Sequence, residues 1–226
     1  MSDKKTYVLY GASFNPPHQG HFSAISQMLE NFDYVIVFLY PKKHNNVSGE
    51  IEVLPPVKQR EKMLDLFIKE HFPQPNIQDK IIVTNLAEQM DLPKNDEKLI
   101  HTYDYLQYVK QNIPSGAELS VCMSFSENNQ NRSEKFFNEK QIKDEFGVFY
   151  LTEENHIQSG LLREFFSNNK SVKSVKDMNY IKYAVGNNLA DYIFKNNLYG
   201  LKDKVKKPKE KKDIDEKDGI EKRLKM

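Results

Sequence analysis

The chain has 226 residues, a formal net charge of +1 at pH 7, and 38% hydrophobic residues. These values fall within the ordinary range of globular proteins and fit one domain with a well-filled core. No apolar run reaches the roughly 18 residues of a membrane span, and the start "MSDKKTYVLYG" lacks a signal-peptide pattern. The single cysteine, Cys122, excludes a disulfide framework and a thiolate metal site. We expect a cytoplasmic protein with no membrane partner, in which Cys122 is a buried, inert thiol.

Five short apolar runs, rich in β-branched and aromatic residues, are predicted to be strands. They begin at Thr6, Tyr34, Lys80, Glu118 and Gly147. The runs are continuously apolar rather than alternating, which is typical of strands buried on both faces. This pattern predicts a parallel sheet that is covered by helices on both sides.

Segments with a helical period separate and follow these strands. Apolar residues recur at steps of three or four after the first strand, at Phe22, Ile25, Leu29 and Phe32. Further helical candidates are "LIHTYDYLQYVKQNI", "NRSEKFFNEKQIKDEF" and "NNLADYIFKNNLYGL". The alternation predicts an α/β fold: a doubly wound, Rossmann-like, mainly parallel five-stranded sheet with a small C-terminal helical region. Ligands of such folds bind outside the carboxyl ends of the strands, where the strand order reverses.

The predicted domain spans residues 1–201, and a charged tail spans residues 202–226. The tail contains eleven Lys and Arg and seven Asp and Glu residues, so it has a net charge of +4. It has too few large apolar residues to offset the entropy of ordering, and we expect it to be disordered. We interpret it as a solvated end and expect no nucleic-acid partner.

The segment "GASFNPPHQGH" lies between the first predicted strand and the first predicted helix, where such folds bind phosphate. Gly11 would allow a tight turn and a close approach of the backbone. The amides of Ala12, Ser13 and Phe14, with the helix N-terminus near Gly20, can donate hydrogen bonds to an anion. This segment is therefore predicted to bind phosphate.

His18 and His21 lie one turn apart at the start of this helix and would project toward the same spot. Two imidazoles over an amide-lined turn suit phosphoryl or nucleotidyl transfer better than a metal site, because no third ligand follows at a suitable spacing. We predict no metal that is held by protein side chains.

The segment "GASFNPPHQGH" resembles the G-x-[ST]-F-x-P-x-H-x-G-H signature of the nucleotidylyltransferase superfamily. Weaker matches follow in the order found in the nicotinate and nicotinamide mononucleotide adenylyltransferases: "VKQREKML", "HTYDYL", "IQSGLLR" and "LADYIFKNNLYG". Their order narrows the resemblance to that family, and only the tail lies outside it.

The resemblance implies that the phosphate of a pyridine mononucleotide attacks the α-phosphate of ATP and that pyrophosphate leaves, in NAD biosynthesis. It implies catalytic roles for His18, His21 and Arg163, with the histidines donating hydrogen bonds to the α-phosphate. Ser159 and Arg163 would hold the β- and γ-phosphates. The resemblance also implies Mg²⁺ bound through the ATP phosphates rather than by a protein cage.

Further nucleotide-binding residues are expected on the loops that follow the first two strands: Gly11, Ala12, Ser13, Phe14, Lys42 and Lys43. Some positions depart from the family pattern. Ser124-Phe125-Ser126 replaces a Gly-x-Asp segment, Gly160 replaces a threonine, and Phe136 or Phe137 would replace a tryptophan that stacks on the pyridine ring. These changes concern mainly the acceptor half of the site, so the choice between nicotinate and nicotinamide mononucleotide stays open.

Two alternatives retain the fold. One is an adenylyltransferase with a phosphopantetheine-like acceptor, to which "YPKKH" has a faint likeness, and the other is a non-catalytic nucleotide-binding relative. A HIGH-type aminoacyl-tRNA synthetase is more remote, because the chain is too short for a tRNA-reading module. The sequence leaves the oligomeric state open, including a homo-oligomer.

Overall fold

The computed structural model describes residues 4–40, 55–90, 101–124, 139–152, 157, 159–168, 171–172 and 174–203. Several residues singled out in the sequence lie outside these ranges: Lys42, Lys43, Phe125, Ser126, Phe136, Phe137 and the tail after Asp203.

A parallel sheet forms the centre of the molecule. Its strands are β1 (Thr6–Ala12), β2 (Tyr34–Leu39), β3 (Ile81–Thr84), β4 (Glu118–Ser124) and β5 (Gly147–Leu151). The strand order is β3-β2-β1-β4-β5, and every neighbouring pair is parallel. The chain moves outward from β1 to β3 and then returns to the other side of β1. The predicted doubly wound sheet is confirmed, and its order reverses between β1 and β4.

Nine helices lie within the described ranges. They are α1 (Gln19–Asn31), α2 (Val57–His71), α3 (Pro75–Gln78), α4 (Leu86–Gln89), α5 (Thr102–Asn112), α6 (Glu139–Glu145), α7 (Ser159–Asn168), α8 (Val175–Val185) and α9 (Asn187–Lys195). A 3₁₀ turn follows at Leu198–Gly200. α3 and α4 could not be predicted from the sequence, because four-residue helices are too short to show a periodic pattern.

The sheet separates two apolar cores. Val8 of β1 faces one core, to which α1, α2, α7, α8 and α9 contribute. Tyr7 and Leu9 face the other core, to which α4, α5 and α6 contribute. Successive side chains of a strand point to opposite faces of the sheet, so a central strand with apolar residues in succession is buried on both sides. Helices therefore cover both faces, as predicted.

The C-terminal helices pack against α2 and carry the chain back toward β1. The Glu70 carboxylate accepts hydrogen bonds from the backbone N–H groups of Asn187 and Asn188, at 2.6 and 2.7 Å. It thereby satisfies amides at the start of α9 that have no partner within the helix. Gly186 precedes α9 with φ of 91°, and a Cβ there would lie 2.8 Å from an oxygen of Glu70.

A small parallel ladder closes this region, with β6 (Ser171–Val172) paired to β7 (Lys202–Asp203). Leu201, immediately before β7, is fully buried. The predicted boundary at residue 201 therefore falls just before the last described strand. Within the described ranges, no helix combines the length and the apolar character needed to cross a membrane.

Cys122 lies in β4 and is partly buried. Burial raises the pKa of its thiol. The thiol is therefore protonated near neutral pH, which makes it a poor nucleophile.

Gly11 lies inside β1, opposite Phe38 of β2, rather than in the turn that the sequence predicted. A Cβ at Gly11 would overlap the ring of Phe38 and lie 3.0 Å from Cζ of Tyr40. Phe38 is 1% exposed, and its ring packs against those of Tyr40 and Tyr105. The glycine is therefore required by ring packing beside the strand.

We expect Gly11→Ala to lower the free energy of unfolding by about 1–3 kcal/mol, because the Phe38 ring must move within a filled core. Gly160→Ala is the matched control, since a Cβ there has no atom within 4 Å. The control should lose no stability, because alanine favours a helix over glycine. Urea denaturation measures both variants. Equal unfolding midpoints for the two would contradict the packing role of Gly11.

Candidate active site

The loop between β1 and α1 occupies the carboxyl end of the central strand. Phe14 has a left-handed backbone with φ of 46°, which costs a non-glycine residue about 1–3 kcal/mol. Its side chain is fully buried, and its ring centroid lies 4.6 Å from that of His21. The peptide bond between Asn15 and Pro16 is cis. The Phe14 side chain thus anchors the loop in the core.

Arg60 of α2 lies beneath this loop and is 0% exposed. Its guanidinium donates hydrogen bonds to the carbonyls of Ser13, Tyr40 and Pro55, at 2.8, 2.9 and 3.1 Å. These carbonyls belong to the segments after β1, after β2 and before α2. Since a trans peptide directs its C=O and N–H to opposite sides, the Phe14 N–H points away from Arg60.

His18 is the N-cap of α1, and His21 is the third residue of that helix. The Gly20 N–H donates to Nδ1 of His18 at 3.0 Å, and the His18 N–H donates to Nδ1 of His21 at 3.2 Å. The two rings have centroids 3.9 Å apart, and each residue is 7% exposed. The structure therefore brings the two histidines together in a reciprocal capping arrangement.

These backbone bonds determine which ring nitrogen carries the proton. An Nδ1 atom that accepts an N–H bond is unprotonated, so the proton of the neutral ring lies on Nε2. Burial, reinforced by the positive charge of Arg163, lowers the pKa of His18 to about 3. Burial and the neighbouring His18 lower the pKa of His21 as well. At neutral pH both side chains are uncharged and offer Nε2–H donors.

Gly20 is required by the same packing. A Cβ at Gly20 would lie 2.8 Å from the carbonyl oxygen of Ile157 and 2.9 Å from Cε1 of His18. The backbone before α7 thus lies directly against the first turn of α1. Only glycine allows this close approach beside the capping histidine.

Helix α7 brings Ser159 and Arg163 of the "IQSGLLR" segment to the loop. Arg163 donates from Nη1 to the Asn15 carbonyl at 2.9 Å, and Ser159 donates from Oγ to the Pro16 carbonyl at 3.4 Å. The effect of Arg163 on the pKa of His18 is that of a nearby positive charge. The structure thus gathers the described members of the predicted site, whereas Lys42 and Lys43 lie outside the described residues.

Sequence reasoning assigned no role to Asn15 or Tyr199. Asn15 is 0% exposed, and its Oδ1 accepts a hydrogen bond from the Tyr199 hydroxyl at 2.7 Å. Asn15 lies in the segment "GASFNPPHQGH", and Tyr199 lies in "LADYIFKNNLYG". Their contact spans 184 positions and leaves no local pattern. The sequence likewise gives no sign of the contacts that Arg60 makes with distant carbonyls.

Among the residues that the structure describes, no group of three or more His, Cys, Asp or Glu side chains could hold a metal ion. The described residues of the site can act by hydrogen-bond donation and by positive charge. The Nε2–H groups of His18 and His21 supply the donors, and Arg163 supplies the charge.

The cytidylyltransferase-like family pattern matches residues 9–165, which include His18, His21 and Arg163. The chain belongs to the cytidylyltransferase-like family. This result confirms the predicted membership of the nucleotidylyltransferase superfamily. Among curated proteins, none matches the sequence significantly.

Solved structures share the fold. A putative nicotinate-nucleotide adenylyltransferase from Vibrio parahaemolyticus is 19% identical with a TM-score of 0.61, over 84% of this chain and 98% of that one. Plasmodium falciparum nicotinic acid mononucleotide adenylyltransferase complexed with NaAD is 18% identical with a TM-score of 0.62, over 86% and 97%. A bifunctional NMN adenylyltransferase/ADP ribose pyrophosphatase from Francisella tularensis is 13% identical with a TM-score of 0.56, over 86% and 51%. At these identities the likeness establishes the fold.

The depressed histidine pKa values predict a pH-dependent stability. Between the ordinary pKa of 6.5 and the folded value of about 3, the unfolded chain binds a proton at His18 and the folded chain does not. Stability from this residue is therefore complete above about pH 6.5 and is lost as the pH falls toward 3.

We expect His18→Asn to reduce the loss of unfolding free energy between pH 7 and pH 5 by about 2 kcal/mol relative to the unchanged protein. Asparagine is chosen because it also caps a helix N-terminus. Urea denaturation at the two pH values measures the difference. An identical loss in both proteins would show that His18 is not held neutral.

Proposed function

We propose that the protein is an adenylyltransferase that joins the AMP part of ATP to a pyridine mononucleotide and releases pyrophosphate, in NAD biosynthesis. One observation carries the proposal: two buried, neutral imidazoles with Nε2–H donors lie beside Arg163 at the carboxyl end of β1. Membership of the cytidylyltransferase-like family supports transfer of a nucleotidyl group. The reversal of strand order beside β1 is where such sheets bind ligands.

The proposed reaction needs no general base. An oxygen of the mononucleotide phosphate, already ionised at neutral pH, forms a bond to the α-phosphorus of ATP. The bond from that phosphorus to the bridging oxygen breaks, and pyrophosphate leaves with the electron pair. Negative charge on the phosphoryl oxygens is stabilised by donors held in place beforehand. The imidazoles of His18 and His21 meet this requirement.

The remaining predicted residues receive the following roles in the proposal. Ser159 and Arg163 bind the β- and γ-phosphates at the start of α7, where a helix N-terminus favours an anion. The backbone of the loop residues contacts the phosphates, at Gly11, Ala12, Ser13 and Phe14. Packing around Gly11 and Phe14 holds this backbone in place. Lys42 and Lys43 remain proposed phosphate ligands. Magnesium enters with ATP as part of the substrate.

The acceptor is proposed to be nicotinate or nicotinamide mononucleotide. Two of the similar structures are named for a nicotinate acceptor, and the Francisella protein is named for NMN. We place nicotinate mononucleotide first on this basis. We further propose a single catalytic domain over residues 1–201, followed by the charged tail of residues 202–226.

To test the function, the full chain is incubated with MgATP and either nicotinate mononucleotide, nicotinamide mononucleotide or 4′-phosphopantetheine. We expect pyrophosphate release with a pyridine mononucleotide and a dinucleotide product identified by mass spectrometry. A product formed only with phosphopantetheine would replace the proposed acceptor. ATP binding by calorimetry without a product from any acceptor would indicate a non-catalytic nucleotide-binding protein.

We expect His18→Asn and His21→Gln each to lower kcat at least about a hundredfold, because each variant loses one Nε2–H donor to the developing charge. Both replacements retain an oxygen that can accept the capping N–H bond, so the fold should persist. Pyrophosphate release measures turnover, and thermal unfolding serves as the control for folding. Near-normal kcat in both variants would show that the imidazoles do not contact the reacting phosphate.

A further inference from the structure

Tyr199 reaches the active-site loop from the far end of the chain. It lies in the 3₁₀ turn Leu198–Gly200, and its hydroxyl is 2.7 Å from Oδ1 of the fully buried Asn15. Its ring centroid lies 5.3 Å from that of Phe166 in α7, and its oxygen lies 3.9 Å from the sulfur of Met63 in α2. The side chain is thus fixed at both its ring and its hydroxyl.

The backbone that places this hydroxyl is strained. Tyr199 has φ of 57°, and Asn197 has φ of 49°. A left-handed conformation is unusual for a bulky residue and persists only where the surroundings enforce it. The turn therefore keeps an unfavourable backbone geometry while its tyrosine reaches Asn15.

The loop that Tyr199 holds also has an unfavourable backbone conformation. Phe14 has φ of 46°, and it is flanked by Ser13 and Asn15, whose carbonyls accept hydrogen bonds from Arg60 and Arg163. Three side chains from three elements, namely Arg60, Arg163 and Tyr199, therefore hold a three-residue segment. Asn15 lies three residues before the cap of α1, so its position influences where the imidazole of His18 points.

We propose that Tyr199 is a positioning residue for nucleotidyl transfer: by donating its hydroxyl to Asn15, it aligns the loop that presents His18. This role in turnover depends on the function proposed above, whereas the alignment of His18 does not. The hydroxyl acts through Asn15, and the 3₁₀ turn Leu198–Gly200 thereby becomes part of the active-site framework. Without the hydroxyl, the fully buried Oδ1 of Asn15 loses this donor, and the loop gains freedom to move.

The first test is Tyr199→Phe, which keeps the ring against Phe166 and removes only the hydroxyl. We expect kcat for pyrophosphate release to fall roughly tenfold, while the KM for ATP changes less than about twofold. Tyr103→Phe is the matched control. It removes a hydroxyl that donates to the Glu145 carboxylate at 2.9 Å, in an exposed contact beside the core on the opposite face of the sheet. The control should retain kcat within about twofold, as expected for a hydroxyl that does not hold the loop.

The second test does not depend on turnover. Side-chain ¹H–¹⁵N correlation spectra report the protonated nitrogen and the environment of each histidine, and we expect Nε2–H for His18 and His21 in the unchanged protein. Tyr199→Phe should shift or split the His18 signals, and Tyr103→Phe should leave them unchanged. Asn15→Ala removes the other partner of the bond. In that background, Tyr199→Phe should have little further effect on the spectra.

The outcomes separate the two proposals. Unchanged His18 signals in Tyr199→Phe would overturn the positioning role, whatever the turnover. Shifted signals together with normal kcat would also overturn it, because the alignment would then have no effect on transfer. If the unchanged protein forms no product from any acceptor but its His18 signals respond specifically to Tyr199→Phe, the alignment holds and the proposed function fails.

Discussion

The hydrogen bonds from the Gly20 and His18 amides to the two imidazole Nδ1 atoms determine what the rest of the site can do. They fix the tautomer, because an Nδ1 atom that accepts a bond leaves the proton on Nε2. They also fix each ring relative to the start of α1. Burial then keeps both rings uncharged at neutral pH. The start of α1 thereby offers two side-chain Nε2–H donors, which reach farther than the backbone N–H groups bound to the Nδ1 atoms.

The surrounding fold serves mainly to hold the segment that precedes these histidines. β1 is central in the sheet, so the loop that follows it lies next to both β2 and the C-terminal helices. Arg60 of α2 joins this loop to the end of β2. Arg163 of α7 and Tyr199 of the 3₁₀ turn Leu198–Gly200 hold Asn15. Glu70 contributes indirectly, since it caps α9 and thereby docks the C-terminal region on α2. Residues that are distant in sequence thus restrain one short loop.

The sequence predicted the sheet well because its short apolar runs are rich in β-branched and aromatic residues and alternate with helical segments, which favours buried parallel strands. It also located the histidine pair, because a spacing of three residues on a helix places side chains together. It misplaced Gly11 in a turn, because a glycine required by ring packing and one required by a turn look alike without coordinates. The contacts of Arg60 and Tyr199 could not be predicted, since hydrogen bonds between distant segments follow from packing rather than from local pattern.

The neutrality of the imidazole pair bears on how binding energy could be used in the proposed transfer. A charged pair would attract the phosphates of ATP strongly before reaction, which lowers the energy of the bound substrate as well as that of the transition state. Neutral Nε2–H donors attract the substrate less, and their contribution grows as negative charge develops on the phosphoryl oxygens. The permanent charge of Arg163 can then serve binding, while the histidines favour the reacting state. This division requires rings whose direction is fixed in advance, because a donor that must first reorient would lose part of that advantage. The restraint of the loop by side chains from α2, α7 and the 3₁₀ turn Leu198–Gly200 meets this requirement.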